Sequence, residues 1–481
     1  MEHNTPKEIA GTVNLWGINC SFHFSNKYNL EIEPAIQFVE LFQEKCEKRN
    51  LNFDNIDWIY GVSTWNESIA FHPATWQGTN ASYFKGILHL IVDIYLLKYG
   101  FLSSETGGKV EPIQKFKAID FCGKNIDAIF SPKCILKNDK YEENRIEWFD
   151  TSKCAKSFKT SICGIPCTII FTVFVDRKDT DSNDTSLGKL RSILRLEFQE
   201  FQDVSLIETC WQTVCYFLTF CTGQFNITNL SVYLWDKEAE IGIFGKPGII
   251  DCQINCERAE SVEFKGNPHN RFQIAYLGEK VGNLFELIGC EKSRPRLDFL
   301  PQSNADFGVD SHKIRDLCTA FELEYDLRKE ESNYSETAEL VSALKDAVKK
   351  YKAEHPFTLS DDIYNSAFKS LKFIGLPVRE KIWQIYSQYK EVIDAEFKWM
   401  CHIYGDQFDF SESKTKEDIH WFVKLRNKIT HSSLSTEQDI PNAIYLRLAT
   451  ALYCSVLERA GYTYDEISAI IRKFFNNHHS A

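Results

Sequence analysis

The chain has 481 residues, of which 43% are hydrophobic, 14% aromatic and 25% charged, which excludes extended disorder and calls for two or three domains. A formal net charge of −12 argues against coating nucleic acid by bulk electrostatics, so any nucleic-acid contact would need a local basic patch or a brief encounter. Sixteen cysteines spread along the whole length exclude a small disulfide scaffold and fit a reducing cytoplasm.

The first ten residues, MEHNTPKEIA, are polar and do not read as a signal peptide. From residue 1 to about 290 the chain reads as mixed α/β, with one or two subdomains. Alternating and β-branched runs predict strands at Thr12–Ile18, Trp58–Thr64, Thr168–Val175, Ile193–Phe198 and Ile227–Trp235. Helices are predicted at Pro34–Lys48, Tyr83–Tyr99 and Val204–Phe220. The most apolar stretch, Gly86–Phe101, is interrupted by His89, Asp93 and Lys98, and is too short and too polar to cross a bilayer. The aromatic run Trp58–Trp76 could stack bases or sugars, but packing within a sheet is the preferred reading. Asp176–Ser186 has no periodicity and is expected to be an exposed loop joining two strands.

Residues 291–311, with two Pro and one Gly among small polar groups, form the expected linker. Beyond it, from 312 to 476, hydrophobic spacing turns helical: Ile314, Leu317, Cys318, Phe321 and Tyr325, then Leu340, Leu344, Val348 and Tyr351. Gly375 and Pro377 read as a helix stop and start, followed by a long helix to Tyr404 with Ile382, Ile385, Tyr389, Ile393 and Phe397 inside. Thr415 and Asp418 are expected to cap the next helix. Pro441 opens another, which Gly461 closes. The fold class is therefore α+β and multidomain: a mixed α/β region followed by an all-α bundle.

Chemistry points to one segment, Lys424–His431, which reads KLRNKITH. The apolar stripe Ile419, Phe422, Val423 leads by spacing to Arg426, and a guanidinium on a buried stripe is costly unless paired or lining a groove. Asn427 and His431 share a helix face, while Arg426 and His431 diverge by roughly 140° around an ideal helix. RNA supplies its own nucleophile, the 2′-hydroxyl, so cleavage needs a base and a fixed cation at the phosphate. Histidine and arginine suit those roles. Lys424 and Lys428 add positive charge for RNA binding. Arg472, followed by His478 and His479, offers the same residue types in a tail-like context and is set aside.

Other motifs are weaker. Cys163/Cys167 and Cys252/Cys256 could together give four thiolates to zinc, though ordinary buried cysteine is the better explanation. No phosphate-cradling glycine loop, H-E-x-x-H or G-x-S-x-G is present, so neither metal nor cofactor is expected.

The segment R-N-K-I-T-H resembles the R-x4-6-H motif of HEPN domains, over roughly residues 310–475. Trp211–Asp236 and Lys313–Asp326, with a large region preceding the bundle, resemble the ApeA-like HEPN proteins of bacterial antiphage defence. The resemblance implies a helical bundle that dimerises so that two motifs form one RNA-cutting cleft. Arg426, His431 and Asn427 would be catalytic, with Glu322 on an early helix beside them. It further implies an abortive-infection endoribonuclease, with transfer RNA as one candidate target. The amino-terminal region would sense a phage-derived trigger or restrain the nuclease. The alternative is a non-catalytic HEPN interaction or oligomerisation module, or a toxin controlled by a partner protein. Ser433 stands where nucleotidyltransferase-regulated toxins of this type often carry Tyr.

Overall fold

A computed structural model of the chain describes residues 8–25, 28–48, 58–65, 67–73, 81–84, 86–98, 112–132, 155–176, 189–223, 227, 230–236, 249–255, 272–290, 311–332, 336–355, 360–370, 377–404, 409–431 and 442–476. Two compact units are present, Met1–Lys265 with Arg271–Gly289, and Gly266–Asn270 with Cys290–Ala481. The expected linker 291–311 lies outside the described residues, except for Ser311.

Among its described residues the first unit has thirteen strands: β1 (Ile9–Leu15), β2 (Ile18–Phe24), β3 (Asn29–Pro34), β4 (Ile59–Ser63), β5 (Ser68–Pro73), β6 (Ala81–Phe84), β7 (Ile87–Lys98), β8 (Lys115–Cys122), β9 (Lys156–Ile162), β10 (Ile165–Asp176), β11 (Lys189–Asp203), β12 (Ser231–Trp235) and β13 (Ile249–Ile254). They pair antiparallel in the order β3-β2-β1-β4-β5-β7-β13-β12-β8-β11-β10-β9, with β6 also on β7. Because β3 pairs with the first half of β7, the first six strands of that order close into a barrel. Inward residues such as Phe22, Phe24, Leu30, Phe71, Leu88 and Leu90 fill it. Helix α1 (Val39–Lys48) adds Phe42 and Cys46 to the same core.

Two-residue turns set the hairpins. Trp16–Gly17 joins β1 to β2, and Cys163–Gly164 joins β9 to β10, all four residues at positive φ, as a hairpin turn matched to strand twist requires. The strand expected at Thr12–Ile18 is thus broken by a hairpin turn.

One face of the remaining sheet carries helices α3 (Ile207–Thr222) and α5 (Val281–Gly289), with the short α2 (Lys124–Ile129) and α4 (Ile274–Leu277). Phe217 of α3 packs between Phe171 of β10 and Phe285 of α5, its ring tilted to both, at centroid distances of 6.4 and 5.3 Å. Helix α5 approaches β9 so closely that a Cβ on Gly282 would lie 2.0 Å from the Lys159 carbonyl oxygen. Thr160 Oγ1 donates to the Gly282 carbonyl at 2.8 Å.

The helix expected at Tyr83–Tyr99 is instead β6 and β7. Leu88, Leu90, Val92 and Ile94 are buried on alternate positions, a period of two. A long apolar run suits either structure by hydrophobicity alone, and barrel closure selected the strand. The loop expected at Asp176–Ser186 falls, after Asp176, outside the described residues, but its neighbours β10 and β11 form one antiparallel pair. Of the aromatic run from Trp58, Phe71 is core and Trp58 lies 5.1 Å from His72. Trp65 is exposed. Residues 74–80 lie outside the described set.

The second unit is helical: α6 (Ser311–Ser332), α7 (Glu336–Glu354), α8 (Asp361–Ser370), α9 (Val378–Tyr404), α10 (Glu412–His431), α11 (Asn442–Arg459) and α12 (Tyr464–Asn476). Helices α6, α9, α10 and α11 pack around Leu317, Phe321, Ile385, Tyr389, Phe422 and Leu452, and α12 lies on α9 and α11. Gly461, at positive φ, ends α11 as its sequence position suggested. Among the described residues no helix is long and apolar enough to cross a membrane.

Candidate functional site

Helix α10 begins at a polar cap. Asp409 Oδ1 accepts from the Ser411 amide at 2.8 Å, and Ser411 Oγ accepts from the Lys414 amide at 3.3 Å. The cap expected at Thr415 is therefore one turn too late. Thr415 is fully buried and its hydroxyl accepts from Arg447 Nη2 at 3.2 Å. Lys414 lies 3.2 Å from Asp418, which is thus part of a surface ion pair.

From this start α10 buries Thr415, Ile419, Phe422 and Val423. Helical repetition carries the same inner face to Arg426. Its guanidinium Nη2 lies 3.7 Å from Glu322 Oε2 of α6, an ion pair longer than a hydrogen bond, with side-chain exposures of 23% and 30%. Arg426 Nη1 also donates to Asn427 Oδ1 at 3.2 Å. One turn before Glu322 on α6 is buried Cys318, whose thiol burial pushes up to about 12, with the Arg426 charge opposing and the Glu322 charge adding to the shift. Arg426 and Glu322 thus form a half-buried pair where α6 meets α10, with Cys318 buried beneath it and Asn427 exposed beside it. Lys424 and Lys428 lie exposed on the other side of α10. The backbone of His431 ends the helix, and its side chain lies outside the described residues.

Arg472 on α12 lies 3.6 Å from Glu396, whose carboxyl burial raises while the Arg472 charge lowers it. His478 and His479 lie outside the described residues. The four cysteines weighed for zinc do not converge. Cys163 occupies a hairpin turn, and Cys167 on β10 is four strand spacings, about 19 Å, from Cys252 on β13. Cys256 is outside the described set, and among the described residues no group of three or more His, Cys, Asp and Glu could hold a metal ion.

Two buried polar clusters were not anticipated from sequence. In the helical unit Arg447 joins Tyr386, Asp394 and Thr415. In the strand unit Arg195 donates to both Asp120 oxygens at 2.6 and 2.8 Å, and Trp235 Nε1 donates to Asp120 at 2.8 Å. The only signal for the second was Arg195 and Asp120 standing within apolar strand runs.

No family model matches the sequence, and no curated protein and no solved structure matches it at the significance required.

Proposed function

We propose that the chain is a metal-independent endoribonuclease of HEPN type, acting in the bacterial cytoplasm in abortive antiphage defence. The observation that carries the reading is Arg426: a cation on the inward face of α10, held beside Glu322 and Asn427, five positions before a histidine that ends the helix. In this reading His431 takes the proton of the RNA 2′-hydroxyl, whose oxygen attacks the adjacent phosphorus. Arg426 covers the charge that develops on the phosphate oxygens. The 5′-oxygen leaves with a proton, giving a 2′,3′-cyclic phosphate and a 5′-hydroxyl. Glu322 and Asn427 fix the guanidinium, and Lys424 and Lys428 hold the RNA backbone. One Arg and one His leave most of the phosphate charge uncovered, so two chains meet at the end of α10 and form one cleft from two motifs. Transfer RNA is a candidate substrate, and the strand unit answers a phage-derived trigger.

The test is cleavage of total RNA by the purified chain in EDTA. Cyclic-phosphate and 5′-hydroxyl ends are expected, with activity abolished by His431→Ala and by Arg426→Ala but retained by Arg472→Ala. Activity lost in EDTA, 5′-phosphate products, or a His431→Ala chain as active as its parent would reject the reading.

One observation favours a second reading. The Glu322 ion pair alone accounts for a charge on the inner face of α10. The bundle would then be a non-catalytic interaction or oligomerisation module, or a toxin under a partner's control. Equal behaviour of the parent and His431→Ala chains towards RNA would favour it.

A further inference from the structure

We propose that the outward face of α10 is a track for single-stranded RNA, on which Trp421 is a base-stacking platform. The inference rests on the ribonuclease reading of the same helix.

Positions 421, 424 and 428 fall within roughly 60° of arc on an ideal helix, opposite the buried Thr415–Ile419–Phe422–Val423 face, and position 431 widens the arc only to about 80°. Trp421 is 37% exposed, and Lys424 and Lys428 beside it are exposed. A partly exposed flat ring followed by cations on the same helix face is a pairing that binds unpaired nucleotides: the ring takes a base face and the lysines take phosphates.

Charge selects the occupant. From His420 to His431 the helix carries Lys424, Arg426 and Lys428 and no Asp or Glu, in a chain whose net charge is −12. The nearest carboxylates on the preceding turn, Glu417 and Asp418, each lie 3.2 Å from Lys414. Glu417, one turn before Trp421, shares this face, but against it stand Lys414, Lys424 and Lys428, so a polyanion meets net positive charge. Duplex RNA keeps its bases stacked and offers no free ring face to Trp421, so the strand is single. The ten residues from Trp421 to His431 span about 15 Å of helix, which places the stacked base a few nucleotides from the phosphate at His431.

The experiment uses the full chain in two backgrounds. In His431→Ala, binding of a labelled single-stranded RNA is followed by fluorescence anisotropy, with and without Trp421→Ala or Trp421→Phe. In the active chain, KM and kcat are measured for the same Trp421 variants. Trp421→Ala should weaken binding and raise KM about tenfold, well beyond any change in kcat, while Trp421→Phe retains most of the affinity. Binding of a duplex of the same sequence should not change. A Trp421→Ala chain that binds and cuts like its parent overturns the track alone. A Trp421→Ala chain whose mass falls in light scattering means that a second copy covers this face, and also overturns it. A parent that neither binds nor cuts RNA overturns the ribonuclease reading and this inference together.

Discussion

At Arg447 of α11 the guanidinium is 2% exposed and gives its N–H groups to Tyr386 and Asp394 of α9 and Thr415 of α10. Lys390 pairs with the same Asp394. Removing one partner from such a group leaves the other charge in the interior without an answer. Asp394→Asn should therefore destabilise the helical unit by about 3–5 kcal/mol, read from urea unfolding. Replacing Arg447 and Asp394 together by apolar residues should cost less than the sum of the single changes. If the two effects simply add, the residues do not act as a pair. None of this cluster was legible in the sequence, because residues 386, 394, 415 and 447 are brought together only by the packing of α9, α10 and α11. Arg426 was legible for the opposite reason: its place on an apolar stripe follows from spacing within one helix. Its partner Glu322 came from a resemblance, since no local pattern links positions 322 and 426.

Elements were read with uneven success. The helices after residue 311 were accessible because each repeats its apolar positions over several turns, as α9 does through Ile382, Ile385, Tyr389 and Ile393. Most strands were missed, since short strands in a closed barrel carry too few alternations to stand out, and β7 carries so many apolar residues that its period is obscured. Gly282 is another feature seen only in the fold. Its missing Cβ lets α5 lie directly on the β9 backbone. Gly282→Ala should lower stability by about 1–3 kcal/mol in a thermal melt, since the obstruction is main chain and cannot swing aside. An unchanged melting temperature would mean that α5 can lift from β9 at no cost.

For the whole molecule, buried thiols and phenols set an alkaline limit. Burial pushes Cys20 up to about 11 and Cys167 and Cys318 up to about 12, and it raises Tyr386 and Tyr389 as well. A group whose folded pKa lies above its unfolded value supports folding fully below the unfolded pKa. That support is lost as pH climbs towards the folded value. Under reducing conditions the melting temperature should hold to about pH 9 and then fall through about pH 12. A melting temperature that holds flat to about pH 11 would show these side chains to be solvated in the native state.

Strand β7 belongs at once to the closed barrel, through β3 and β5, and to the open sheet, through β13. Its pairing with β13 joins Ile94 to Ile254, so the sheet cannot be completed until most of the strand unit has left the ribosome. During synthesis the barrel strands are all present long before β13 arrives, and the outer edge of β7 at Ile94–Leu97 waits unpaired in the interval. Loop closure over that distance is slow, which leaves this edge open to pairing between nascent chains until β13 arrives.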